Sequence, residues 1–252
     1  MNNTPDQSSP ATVEADRVSA AFEALKSYDA GSGRATLWPL DEAVQRALKD
    51  HKGRAALEQR FILILQGECS GVAKQYVCSK LALVGSKSSV SAIAALLADP
   101  QVSASARTAL EKLPGTTAAK ALRASVGKLS GTTKIGALCS IGALCSIGAT
   151  RDGASVAFLA TFLHGTDPAL AAAAAYALGQ IGSAKAATVL KPFVCIAPGT
   201  IRLRVADAGL VCAERLRIDG HRREAKDMYQ ALSSSALPAY VQQAARSGLE
   251  KC

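Results

Sequence analysis

Two stretches of this chain, 68 residues apart, carry the same helix. LADPQVSASARTALEKLPG (97–115) lies over HGTDPALAAAAAYALGQIG (164–182), with Asp99-Pro100 above Asp167-Pro168. In that register Val102, Ala106, Ala109, Leu110 and Leu113 meet Leu170, Ala174, Ala177, Leu178 and Ile181. The spacing is i, i+4, i+7, i+8, i+11, one face of a helix, so these ten positions are the predicted core. Both helices should start alike, an Asp capping the first free N–H groups and a Pro at a position that needs none. The offset is twice 34, and Gly85, Gly115, Gly148 and Gly182 close the second helices of successive pairs at steps of 30, 33 and 34. A helix pair of that length cannot bury its apolar face alone; stacked on copies of itself, it makes a continuous core.

Partner helices fit between these: SSVSAIAALLA (88–98), TTAAKALRASVGKL (116–129), SVAFLATFLHG (155–165) and AKAATVLKPFV (184–194). Upstream, 16–29, 40–50, 54–67 and 70–85 show helical periodicity, most ending at glycine, and no stretch alternates with the period of a strand. Composition agrees. Apolar residues make up 49% of the chain but aromatics only 4%, and a core of alanine and leucine favours helices over strands. The expected organisation is a disordered tail (1–15), an N-terminal helical cap (16–69), the repeats (70–200) and a C-terminal helical cap (201–252).

The alternation SVSAIAALLADPQVSASARTALEKLPG…ASVAFLATFLHGTDPALAAAAAYALGQIG resembles HEAT repeats, closest to the short HEAT-like units named after the phycobilisome lyases. Residues 206–238, with Gly220 between two helices, Ala225-x3-Tyr229 and Pro238, are similar to a single tetratricopeptide unit. The resemblance implies an all-α fold, a right-handed α-α superhelix of the HEAT/armadillo-like solenoid kind. It implies a scaffold that presents a groove to a partner, and no particular reaction.

IGALCS occurs twice in tandem, at 135–140 and 141–146. Six residues turn a helix by about 600°, so the second copy faces a different way from the first. Cys139 and Cys145 would stand about 9 Å apart along the axis and a third of a turn apart around it, which does not suit a shared metal. Ile135, Leu138, Ile141, Leu144 and Ile147 wind around the helix, which must then be buried on most sides. Without one copy the glycine step would be 27. The duplication reads as a lengthened helix or terminal loop, a matter of structure and not of chemistry.

Net charge is +9, but residues 1–60 hold 8 Lys and Arg against 9 acids, and residues 61–252 hold 21 against 11. A basic body attracts polyanions. In HEAT solenoids the second helix of each pair lines the concave face. Candidate contact residues are therefore Tyr176, opposite the core stripe of its helix, with Arg107, Lys112, Lys134, Arg202 and Arg204 as a basic strip. The expected partner is a protein with an acidic surface or segment. Duplex nucleic acid, bound by its backbone, is the main alternative, and a bilin-lyase-like enzyme a third. No HExxH, GxSxG or GxxxxGK[ST] occurs, and His51, His164 and His221 lie far apart. The sequence thus predicts no catalytic activity, cofactor or metal. Seven cysteines without a CxxC suit a reducing compartment. With neither a signal peptide nor a spanning segment, a cytoplasmic protein with no membrane partner is expected.

Overall fold

The structure, a computed structural model, describes residues 10–146, 153–197, 199–233 and 236–252. Ile147 and Gly148, used in the sequence reading, lie outside them. Among the described residues every regular element is helical, so the protein is all-α. The chain divides into two compact units, Met1–Pro114 and Gly115–Cys252, a boundary inside the span read as one run of repeats.

In the first unit the helices are α1 (Pro10–Lys26), α2 (Trp38–Ala47), α3 (His51–Gln66), α4 (Gly71–Val84), α5 (Val90–Ala94) and α6 (Ser103–Lys112). α1 starts at Pro10, inside the segment expected to be a tail; residues 1–9 are not described. Asp50 and Ser70 cap α3 and α4, accepting from the N–H groups of Lys52 and Gly53, and of Ala73. Glu58 is buried in α3. It accepts from the Ser86 N–H (2.7 Å), the Ser86 hydroxyl (2.9 Å) and the Ser89 hydroxyl (2.5 Å). A buried carboxylate needs such donors, and here they fix the turn before α5 onto α3. Val102, Ala106, Ala109, Leu110 and Leu113 are all buried.

The two Asp-Pro starts differ in one respect. Asp167 accepts from the N–H groups of Ala169 and Leu170, with Pro168 at the first helical position. Asp99 likewise accepts from the Gln101 N–H (2.9 Å), but the Val102 N–H then bonds the Asp99 carbonyl (3.1 Å). That tighter first turn delays α6 to Ser103, so the shared cap does not give a shared helix start.

The second unit holds α7 (Thr117–Ser125), α8 (Gly131–Ser146), α9 (Gly153–Leu163), α10 (Pro168–Ile181), α11 (Ala184–Ile196), α12 (Gly199–Ile218), α13 (Arg222–Leu232) and α14 (Ala239–Glu250). They pair as α7/α8, α9/α10, α11/α12 and α13/α14. The second members α8, α10, α12 and α14 pack in sequence as one layer, and α7, α9, α11 and α13 as the other. Ala174, Ala177, Leu178 and Ile181 are buried as expected, and Leu170 is half-buried at the helix start.

Both copies of IGALCS lie in one uninterrupted helix, α8. Ala137, Leu138, Ser140, Ile141, Leu144 and Cys145 are buried, so α8 is enclosed on most sides. The Cys145 thiol donates to the Ser155 hydroxyl (3.3 Å), which also accepts from Arg123 Nη1 (2.5 Å), joining α8 to α9 and α7. Cys139 is only half-buried. The second copy also supplies Gly142. A Cβ there would lie 2.5 Å from the Cα of Ala177 in α10, and one on Gly179 would lie 2.7 Å from the Ala208 carbonyl oxygen in α12. The layer α8–α10–α12 is thus held backbone against backbone, as small residues allow.

Candidate binding site

On α12, Arg204, Asp207, Ala208, Val211 and Arg215 follow each other at helical spacing and share one face. On α10 the matching row is Ala172, Tyr176 and Gln180. The two rows enclose a shallow cleft of about 200 Å³, lined by Ala172, Tyr176, Gln180, Arg204, Asp207, Ala208 and Val211. Alanines form its floor because the helices below them are so close. Tyr176 is 51% exposed and Val211 37%, so the cleft has an apolar rim that nothing in its own unit covers.

Polar groups around this rim are ordered. From α14, the Tyr240 hydroxyl donates to Asp207 Oδ1 (3.0 Å) with its ring 51% exposed. Desolvation, followed by the bond to Asp207 and its charge, raises the Tyr240 pKa against the opposing pull of Arg204. Arg215 Nη2 donates to Gln180 Oε1 (2.7 Å), tying α12 to α10. Further along, Glu214 accepts from Arg217 Nε (2.9 Å) and Nη2 (2.6 Å) and from the Tyr229 hydroxyl (2.8 Å). The Arg217 bonds, helped by Tyr229, hold the Glu214 carboxyl down at about 2.

Of the six candidate contact residues, the structure brings together Tyr176 and Arg204. Arg202 turns back, its Nε donating to the Ala197 carbonyl (3.1 Å) before α12. Lys134 sets its ammonium over the Phe162 ring of α9, 5.7 Å from the centroid. Arg107 and Lys112 belong to α6 in the first unit, the first half-buried and the second exposed. The cleft is therefore not a run of cations, since Asp207 sits beside Arg204. Sequence reasoning missed Asp207, Gln180, Arg215 and Tyr240. The spacing from Arg204 to Val211 and Arg215 signals the α12 row, but nothing local signals that α14 brings Tyr240 to Asp207.

A second polar cluster lies in the first unit, where Asp41 of α2 accepts from the Tyr76 hydroxyl (3.0 Å) and pairs with Lys80 (2.7 Å), both on α4. Burial first, then Asp41, raises the Tyr76 pKa. Each of the three groups is satisfied by the others, and the cluster fastens α2 to α4. Among the described residues, no group of three or more His, Cys, Asp or Glu is placed to hold a metal ion. No described helix is long and apolar enough to cross a membrane.

No family model matches the chain, and no curated protein matches it. Solved structures do. Human deoxyhypusine hydroxylase in complex with glycerol aligns over 96% of this chain and 97% of its own, at 14% identity and a TM-score of 0.37. Two engineered proteins align at 21% and 18% identity, over 82% and 96% of this chain and 95% and 69% of theirs, with TM-scores of 0.42 and 0.43. These are likenesses between helical folds, too distant to transfer a residue's role. One expectation is corrected by them. The chain was expected not to be an enzyme, and that expectation does not stand: the hydroxylase among these structures is an enzyme.

Proposed function

We propose that the chain is a HEAT-like binding protein that holds a protein segment along the α10–α12–α14 face of residues 115–252. The observation that carries this is the pair Tyr176 and Tyr240, each half out of the surface: Tyr176 lines the alanine-floored cleft with Arg204 and Asp207, and Tyr240 bonds that Asp207. Tyrosine offers a large rigid contact with a polar tip, and it is enriched where proteins meet. Duplex nucleic acid is a second reading, favoured by the charge of this unit. Residues 115–252 hold sixteen Lys and Arg against eight Asp and Glu, a net +8.

A random peptide library displayed against the immobilised protein, with counter-selection on the double variant Tyr176→Ser/Tyr240→Ser, tests the first reading. Enrichment of peptides that bind the parent and not the variant supports it; peptides that bind both alike refute it. Labelled duplex DNA, titrated from about 50 to 200 mM salt, tests the second. A steep log–log loss of affinity would show released counterions and phosphate contact.

A further inference from the structure

Four arginines project from α12, and three of them already have partners. Arg202 holds the Ala197 carbonyl, Arg215 holds Gln180 and Arg217 holds Glu214. Arg204 makes no hydrogen bond or ion pair among the described residues, yet it lines the cleft beside Tyr176. Its nearest carboxylate on that wall, Asp207, receives the Tyr240 hydroxyl instead. The guanidinium is thus left at the edge of an apolar pocket with its planar set of donors unused. Such a fork matches a carboxylate in two parallel hydrogen bonds. The Gln180 amide oxygen accepts from Arg215, which leaves its nitrogen as a further donor on the opposite wall.

We propose that this cleft takes an acidic protein segment, in which one apolar side chain inserts between Tyr176 and Val211 and a neighbouring carboxylate pairs with Arg204. The inference rests on the binding-face reading above and adds the chemistry of the partner. Three features point the same way. A volume of about 200 Å³ over a floor of Ala172 and Ala208 suits a single aliphatic side chain, and the exposed tyrosine and valine give it walls. The free guanidinium sits where the next residue of that segment must pass. The +8 of residues 115–252 draws in an acidic segment and turns away a basic one before contact is made. A nucleic-acid backbone meets only part of this. It has no aliphatic group to fill the pocket between Tyr176 and Val211.

The test is selection of a random peptide library, about twelve residues long, on the full chain, followed by fluorescence anisotropy of the most enriched peptides. Peptides of net negative charge with an apolar residue next to an acid are expected. Their Kd should rise more than about 10-fold with Arg204→Glu and with Tyr176→Ser, as for residues central to a contact. Both side chains are exposed, so circular dichroism of the variants should match the parent. Enriched peptides that are neutral or basic, yet lost with Tyr176→Ser, would overturn the acidic partner and leave the binding face standing. Peptides indifferent to both substitutions, or no enrichment together with steeply salt-dependent duplex binding, would overturn both.

Discussion

Gly142→Ala puts the close packing of the second unit to the test. In a helix interior this exchange alone stabilises, by about 0.5–1 kcal/mol, because alanine has less conformational freedom to lose. Here the added methyl would sit 2.5 Å from the Cα of Ala177, 2.8 Å from its Cβ and 3.0 Å from its carbonyl oxygen. Carbon atoms rest at about 3.5–4.0 Å, so α8 and α10 must part by roughly 1 Å. No rotamer relieves the clash, because the obstacle includes backbone. Overpacking of this kind costs about 1–3 kcal/mol; less the helical gain, the net loss is about 0.5–2 kcal/mol. At about 2–4 °C per kcal/mol for a chain of this size, the Tm should fall by roughly 1–8 °C in a thermal scan followed by circular dichroism. Gly127→Ala is the control: a Cβ there meets nothing within 4 Å, and the Tm should hold or rise slightly. A Gly142→Ala protein as stable as the parent or the control would refute the account of the α8–α10 contact.

Deleting residues 141–146 removes buried Ile141, Leu144 and Cys145 together with Gly142. Urea unfolding should show a lower midpoint, whereas an unchanged midpoint would mean that the first copy slides into the vacated register. Glu214 links stability to acid. Its folded pKa of about 2 lies below the ordinary 4.5, so its contribution is complete above the ordinary value and lost as pH falls towards 2. Glu214→Gln should flatten the fall of Tm between pH 5 and pH 2, and an identical slope would remove Glu214 from the acid response. Burial pushes the Cys78 and Cys212 thiols up to about 12, while Cys195 is exposed. A thiol reagent at pH 8 should label Cys195 in the native protein and reach Cys78 and Cys212 only in denaturant; early labelling of either would contradict their burial.

The fold was legible because helical burial is periodic. Nine of the ten positions chosen from the 68-residue register are buried, and Leu170 is the half-buried exception at a helix start. Facing was legible by the same rule, which put Tyr176 opposite the core stripe. Direction was not. Lys134 and Arg202 lie on α8 and α12, but one side chain turns to Phe162 and the other to the Ala197 carbonyl. A long flexible cation goes to whichever partner lies in reach, and tertiary structure decides which that is. The meeting of Tyr240 with Asp207 across α14 and α12 is likewise a property of packing, since the two are 33 positions apart in the chain.

Small residues account both for what the sequence disclosed and for what it withheld. Glycine and alanine at 142, 177, 179 and 208 let three helices approach to backbone contact, so few side chains stand between their ridges. On such a surface a long side chain has little around it to bury it, and Tyr176, Arg204 and Val211 project in consequence. Their exposure makes them cheap to replace, since surface substitutions away from a cap or a network change stability by about 0.5 kcal/mol or less. The residues beneath are the reverse, intolerant of one added methyl. The fold and the proposed binding face therefore rest on separate sets of positions along the same helices. A substitution at 142 or 179 should weaken binding only as far as it loosens the layer, and one at 176 or 204 should weaken it with the layer intact. If Tyr176→Ser lowered the Tm as far as Gly142→Ala does, this separation would be wrong, and the tyrosine would be part of the core after all.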